Sequence, residues 1–186
     1  MAESVIRGFH EDLGPLPLTA DRYGKNLITQ GPEHYMTHEG KHFVLSHYFA
    51  DVDADGYARI RFKTPSDVYL HLVFFVMSSG GLIVTVYRDP TFTHNASNTV
   101  SQHNKNDIST NTTPITEACH TPSGSGSGDV FIGTVPVGTS GKFNIGAGNV
   151  RDANEVILKK DTVYLIEAQS TVDNNKITLG VDFYYR

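Results

Sequence analysis

Residues 176–185 alternate strictly, and that pattern constrains the fold more than any other feature of the chain. Ile177, Leu179, Val181, Phe183 and Tyr185 take one side, with Thr178, Asp182 and Tyr184 on the other. A period of two belongs to a half-buried β-strand; a helix would scatter the same residues around its axis. Residues 57–63 repeat the pattern, with Ala58, Ile60 and Phe62 opposite Tyr57, Arg59, Arg61 and Lys63. Residues 68–77 are apolar on both faces, as a central strand is. Residues 42–49, 82–88, 130–137, 142–145 and 162–168 are further runs rich in β-branched and aromatic side chains. The four runs between 42 and 88 read as successive antiparallel neighbours, and Asp173-Asn174-Asn175 as the hairpin joining the last two strands. A helical period is absent, except that residues 152–160 fit either a short helix or, through Val156, Ile157 and Leu158, a strand. The expectation is an all-β chain of about eight strands forming an antiparallel two-sheet β-sandwich, jelly-roll-like, with an extended N-terminal arm.

Composition narrows the function classes. Charged residues are 19% of the 186 and the net charge is −5, which argues against a protein built to neutralise a nucleic-acid backbone. Cys119 is the single cysteine, so no internal disulfide can staple the fold. The longest apolar run, 68–77, is too short for a membrane helix of about 20 residues, and residues 1–10 lack the apolar core of a signal peptide. The reading is a chain made in a cytoplasm, with no membrane and no nucleic acid among its partners.

Residues 1–32 form the arm and 33–186 the sandwich domain. Pro15, Pro17 and Pro32, with Gly8, Gly14, Gly24 and Gly31, leave no room for a long helix in the arm. A solvated tail has no use for Val5, Ile6, Phe9, Leu13, Leu16, Leu18, Leu27 and Ile28. They pack either on this chain's own core or on a neighbouring subunit, and are candidate partner contacts. The other candidate is the basic stripe Arg59, Arg61 and Lys63, suited to an acidic partner surface. Residues 89–129, rich in Asn, Thr and Ser, form a polar excursion far longer than an ordinary loop of about 4–6 residues.

Several motifs suggest chemistry and then lack its context. His38-Glu39-Gly40-Lys41-His42 spells the zinc-protease H-E-x-x-H, with Glu39 as the general base of a zinc hydrolase. Gly40 sits where the helix interior belongs and Phe43-Val44-Leu45 continues as strand, so the expectation is a loop entering a strand. His34, His38 and His42 share parity, and three imidazoles on one side of an extended chain are able to hold zinc or nickel. Pairing with carboxylates and with one another is the simpler account. Asp51, Asp53 and Asp55 before Gly56 copy half an EF-hand loop, but Phe62 stands where a bidentate Glu belongs; the reading is an acidic turn, the alternative a weak calcium site that borrows a neighbour's oxygen. Cys119-His120 is not a dyad by adjacency alone. The residues point to no catalytic set, no metal and no cofactor.

Two stretches carry a resemblance. Glu33-His34-Tyr35-Met36-Thr37-His38-Glu39-Gly40-Lys41-His42-Phe43 resembles the opening segment of a group of tailed-phage virion proteins. Residues 145–164, through Gly146-Ala147-Gly148 and Glu155-Val156-Ile157-Leu158-Lys159, resemble a second segment of the same group. The order of parts from 33 to 186 agrees as well. These are phage head decoration, or capsid cement, proteins. The resemblance implies a non-enzymatic β-sandwich on the outer surface of the capsid, partnered by the major capsid protein and by itself as a homotrimer. The alternative is a head-fibre or carbohydrate-binding module using Tyr184 and the 89–129 excursion; the absence of Trp tells against it.

Overall fold

The computed structural model describes residues 7–10, 14–17, 19–20, 27–28, 32–124, 128–137, 141–143 and 155–186. Two antiparallel sheets carry the fold. The first runs β10 (Thr116–His120), β6 (Tyr57–Lys63), β14 (Val163–Ser170), β8 (Leu82–Arg88), β11 (Asp129–Val137). The second runs β12 (Gly141–Phe143), β7 (Leu70–Ser78), β15 (Asn175–Tyr185), β5 (His42–Val52), β9 (Gln102–Asn104), with β13 (Val156–Leu158) also on β7. The all-β two-sheet sandwich expected from alternation is what the chain forms.

Its connectivity differs from the expected run of neighbouring strands. β5, β6, β7 and β8 alternate between the sheets, so strands adjacent in sequence face each other across the core instead of pairing. Residues 173–175 likewise cross from β14 to β15 in the opposite sheet and close no hairpin. The late strands take central places: β14 lies between β6 and β8, and β15 between β5 and β7. This is jelly-roll connectivity. The physical reason is burial. A strand apolar on one face hides it best against a second sheet, and crossing at each turn gives both sheets a covered face.

The core follows the parity of each strand. Phe43 and Leu45, Leu72 and Phe74, and Leu179, Val181 and Phe183 meet Ala58, Ile60 and Phe62, Val84 and Val86, and Tyr164, Ile166 and Ala168. All are essentially excluded from water.

The excursion is built structure. It carries a 3₁₀ turn at Ala96–Asn98, adds β9 beside β5, and adds β10 beside β6. It therefore extends both sheets along one margin of the sandwich. Its own Phe92, Val100 and Ile115 are buried. Where helix and strand competed in the sequence, Val156–Leu158 form the strand β13.

Four short strands are described before residue 32. β1 (Arg7–His10) pairs with β2 (Gly14–Pro17), and β3 (Thr19–Ala20) with β4 (Leu27–Ile28). Among the described residues neither hairpin joins a sheet of the sandwich. Among the described residues no helix is long and apolar enough to cross a membrane.

Candidate partner-binding face

The opening of the sandwich domain is a helix, where the sequence suggested a loop. α1 spans Pro32–His38, with Glu33 in its first turn. Pro at the first position sacrifices no helical hydrogen bond. The helix ends in a Schellman motif: Gly40 N donates to Thr37 O at 3.0 Å and Lys41 N to Met36 O at 2.8 Å. Gly40 adopts the left-handed φ of +67° that this cap needs. A Cβ there would lie 2.0 Å from Ser109 Oγ. Most of the H-E-x-x-H segment is thus the cap of α1, and its two histidines part company. His38 is exposed; His42 enters β5 and is buried.

The three equal-parity histidines divide in the same way. His34 and His38 lie one helical turn apart with Nε2 atoms 3.0 Å from each other. His42 instead sets Nδ1 2.7 Å from Thr37 Oγ1 and Nε2 2.5 Å from Asp182 Oδ1. Lys105 donates to the other oxygen of Asp182. Burial pushes the Asp182 carboxyl up, but hydrogen bonds from His42 and Lys105 outweigh it and hold the group well below the usual carboxylate range. Among the described residues no set of three or more His, Cys, Asp or Glu side chains is disposed to hold a metal ion.

His42 stands at one end of the outer face of the second sheet. Register places Tyr184 between His42 on β5 and His71 on β7. The Tyr184 ring stacks on His71 at 4.9 Å, and its hydroxyl donates to Glu155 Oε1 at 2.8 Å. His71 Nδ1 meets the same oxygen at 2.6 Å. Tyr184 is 2% exposed, so it is no open platform for a sugar ring. Farther along, Gly180 lets the Phe75 ring lie across β15; a Cβ would fall 2.4 Å from Phe75 Cζ and 2.5 Å from Leu45 O. Tyr48 and Met77 then flank Thr178 and are exposed. This face is polar and locked at the α1 end, and apolar at the far end. Exposed apolar side chains grouped on one sheet face are the raw material of an interface.

The basic stripe is matched inside the chain. Arg59 Nε meets Glu167 Oε2 at 2.6 Å, Arg61 NH1 meets Glu117 Oε2 at 2.9 Å, and Lys63 Nζ meets Asp161 Oδ1 at 2.8 Å. The excursion covers part of it. Arg61 is buried and donates to Phe92 O, while the Arg59 guanidinium lies 4.2 Å from the Tyr57 ring centre and 4.8 Å from that of Phe92. Each cation of the stripe thus has a carboxylate partner within the chain.

The acidic turn is a turn. Gly56 N donates to Asp53 O, Asp55 N to Ser170 O, and Ala54 N to Asp173 Oδ1. Cys119 is fully buried, and burial pushes its thiol up, the opposite of nucleophile activation. His120 stacks face to face on His47 at 3.8 Å, joining β10 of one sheet to β5 of the other. Burial lowers the basicity of both rings, and the charge of His120 lowers that of His47 further.

Of the arm candidates, Val5, Ile6, Leu13 and Leu18 lie outside the described residues. Phe9, Leu16, Leu27 and Ile28 fall in β1, β2 and β4. The sequence reading passed over Asp182, Lys105, Glu155 and the His47–His120 stack. Asp182 carried a signal, being a charge on the outward parity of a central strand; the others meet across the fold. No protein-family model, curated protein or solved structure matches the chain.

Proposed function

We propose that this chain is a non-enzymatic structural protein of a phage virion, seated on the outside of the capsid as a decoration or cement protein. The observation that carries the reading is the division of labour in the fold. The sandwich packs two sheets around one core, while among the described residues two amino-terminal hairpins pair with neither of those sheets. A clamp needs those two parts: a body that does not deform and an appendage with apolar side chains to bury on a neighbour. The resemblance of residues 33–43 and 145–164 to phage virion proteins supports the same assignment.

Binding only the assembled shell stabilises that shell by mass action. The partner is the major capsid protein, and a homotrimer suits three-fold points of the lattice, where one patch repeats about the axis. The arm residues and the exposed Tyr48 and Met77 are the surfaces assigned to these contacts; the internally paired Arg59, Arg61 and Lys63 are not.

The test is binding to empty heads. The full chain should coat them and raise the temperature at which they burst, and a chain lacking residues 1–30 should keep its β circular dichroism while binding weakly. Undiminished binding without the arm overturns the clamp, and failure of the full chain to bind any head overturns the assignment.

A further inference from the structure

We propose that His34 and His38 form a two-imidazole chelate for a late first-row divalent ion, with Cu²⁺ and Ni²⁺ preferred to Zn²⁺. The two side chains sit at i and i+4 of α1, on one face and one turn apart. Both are exposed, and their rings meet edge to face at 80° with centres 4.6 Å apart. The Nε2 atoms already approach to 3.0 Å.

That separation selects the geometry. Metal–imidazole bonds are about 2.0–2.1 Å long, so two nitrogens 3.0 Å apart subtend roughly 90–97° at a shared ion. This is the angle between neighbouring positions of a square or an octahedron, the arrangements favoured by Cu²⁺ and Ni²⁺. A tetrahedral zinc site opens the angle to about 109° and requires the nitrogens to part to roughly 3.3–3.4 Å. The ordinary order of affinities for first-row ions acts in the same direction.

The scaffold holds the pair in place. Below it, Met36 is buried and Thr37 Oγ1 bonds both Glu33 O and His42. At the carboxyl end, the Schellman cap fixes the last turn, and Asn106 Nδ2 donates to His38 O at 3.2 Å. A rigid helix turn lowers the entropy lost when two side chains close on one ion. In the apo pair one ring donates its Nε2 proton to the other; on binding, that ring takes the Nδ1-protonated tautomer and both Nε2 lone pairs turn to the ion. Among the described residues no third ligating side chain joins them, so water fills the remaining positions and the ion exchanges readily.

The experiment is calorimetric titration of the full chain with CuCl₂, NiCl₂ and ZnCl₂ in a non-chelating buffer. One ion per chain is expected, with Cu²⁺ bound more tightly than Ni²⁺ and Ni²⁺ more tightly than Zn²⁺. His34→Ala and His38→Ala should each weaken Cu²⁺ binding on the order of a hundredfold, because either change leaves a single imidazole. His103→Ala, at an exposed position of β9, should change nothing. Electron paramagnetic resonance of the Cu²⁺ form should report two nitrogen ligands. Zn²⁺ as the tightest ion, unchanged affinity in either variant, or a one-nitrogen spectrum overturns the site.

Discussion

Gly40→Ala tests the reading of the H-E-x-x-H segment as a helix cap. Three effects enter. A left-handed backbone costs an alanine roughly 1–2 kcal/mol. The new Cβ, at 2.0 Å from Ser109 Oγ and 2.6 Å from Ser109 Cβ, forces that side chain away, and the hydrogen bond from Asn111 N to Ser109 Oγ goes with it. Such a bond contributes about 0.5–1.5 kcal/mol. Against these, alanine stiffens the unfolded chain by about 0.4–1 kcal/mol. The balance centres on about 2 kcal/mol, a fall in Tm of about 4–8 °C for a domain of this size. Scanning calorimetry on the single variant, on Ser109→Gly and on the double variant separates the parts. In the Ser109→Gly background, Gly40→Ala should cost about 1 kcal/mol less, and Gly40→Asn less again, because asparagine tolerates the left-handed region. A Gly40→Ala Tm within 1 °C of the parent, or a cost indifferent to residue 109, refutes the cap.

Three further outcomes are expected. Gly180→Ala, which drives a methyl into Phe75 and the carbonyl of Leu45, should destabilise by about 1–3 kcal/mol in urea melts, and Phe75→Ala should rescue it only in part because the Leu45 contact is backbone. The lowered basicity of His47 and His120 means the folded state disfavours their charged forms, so their contribution to stability is complete above the unfolded value of about 6.5 and falls away as pH drops below it. Urea midpoints should therefore decline from pH 7.5 to 5.5, and His120→Phe should flatten the slope; an unchanged slope counts against the stacked pair. Arg61→Leu should cost about 1.5–3 kcal/mol by leaving the Phe92 carbonyl and Glu117 without their cation, whereas Lys63→Ala should leave the Tm in place; equal effects would mean that the burial of Arg61 is incidental.

The class of the fold was legible because strand parity is local. Ile177 through Tyr185 and Ala58 through Phe62 point inward on the residues expected, since a pleated backbone leaves no other face for the apolar set. Each of the eight expected strands forms, with bounds shifted by a few residues. α1 escaped notice because in its roughly two turns the described buried apolar side chain is Met36, too little to display a helical period. β9 and β10 escaped for a related reason. They are short edge strands whose pairing is dictated by the neighbour and not by their own side chains.

Pairing is where tertiary structure decided. Alternation says that a strand has an apolar side; it does not say whether the next strand lies beside it or across from it. That choice rests on which crossing buries both faces at once, a property of all the strands together. The same holds for the charged residues. Arg59, Arg61 and Lys63 read as an open stripe because their partners Glu167, Glu117 and Asp161 are far away in sequence. His34, His38 and His42 read as one set because sequence spacing implies a single backbone geometry, and α1 ends between the second and the third. Local periodicity determined that this protein is a β-sandwich; only long-range packing determined which charges are spent inside it and which imidazoles meet.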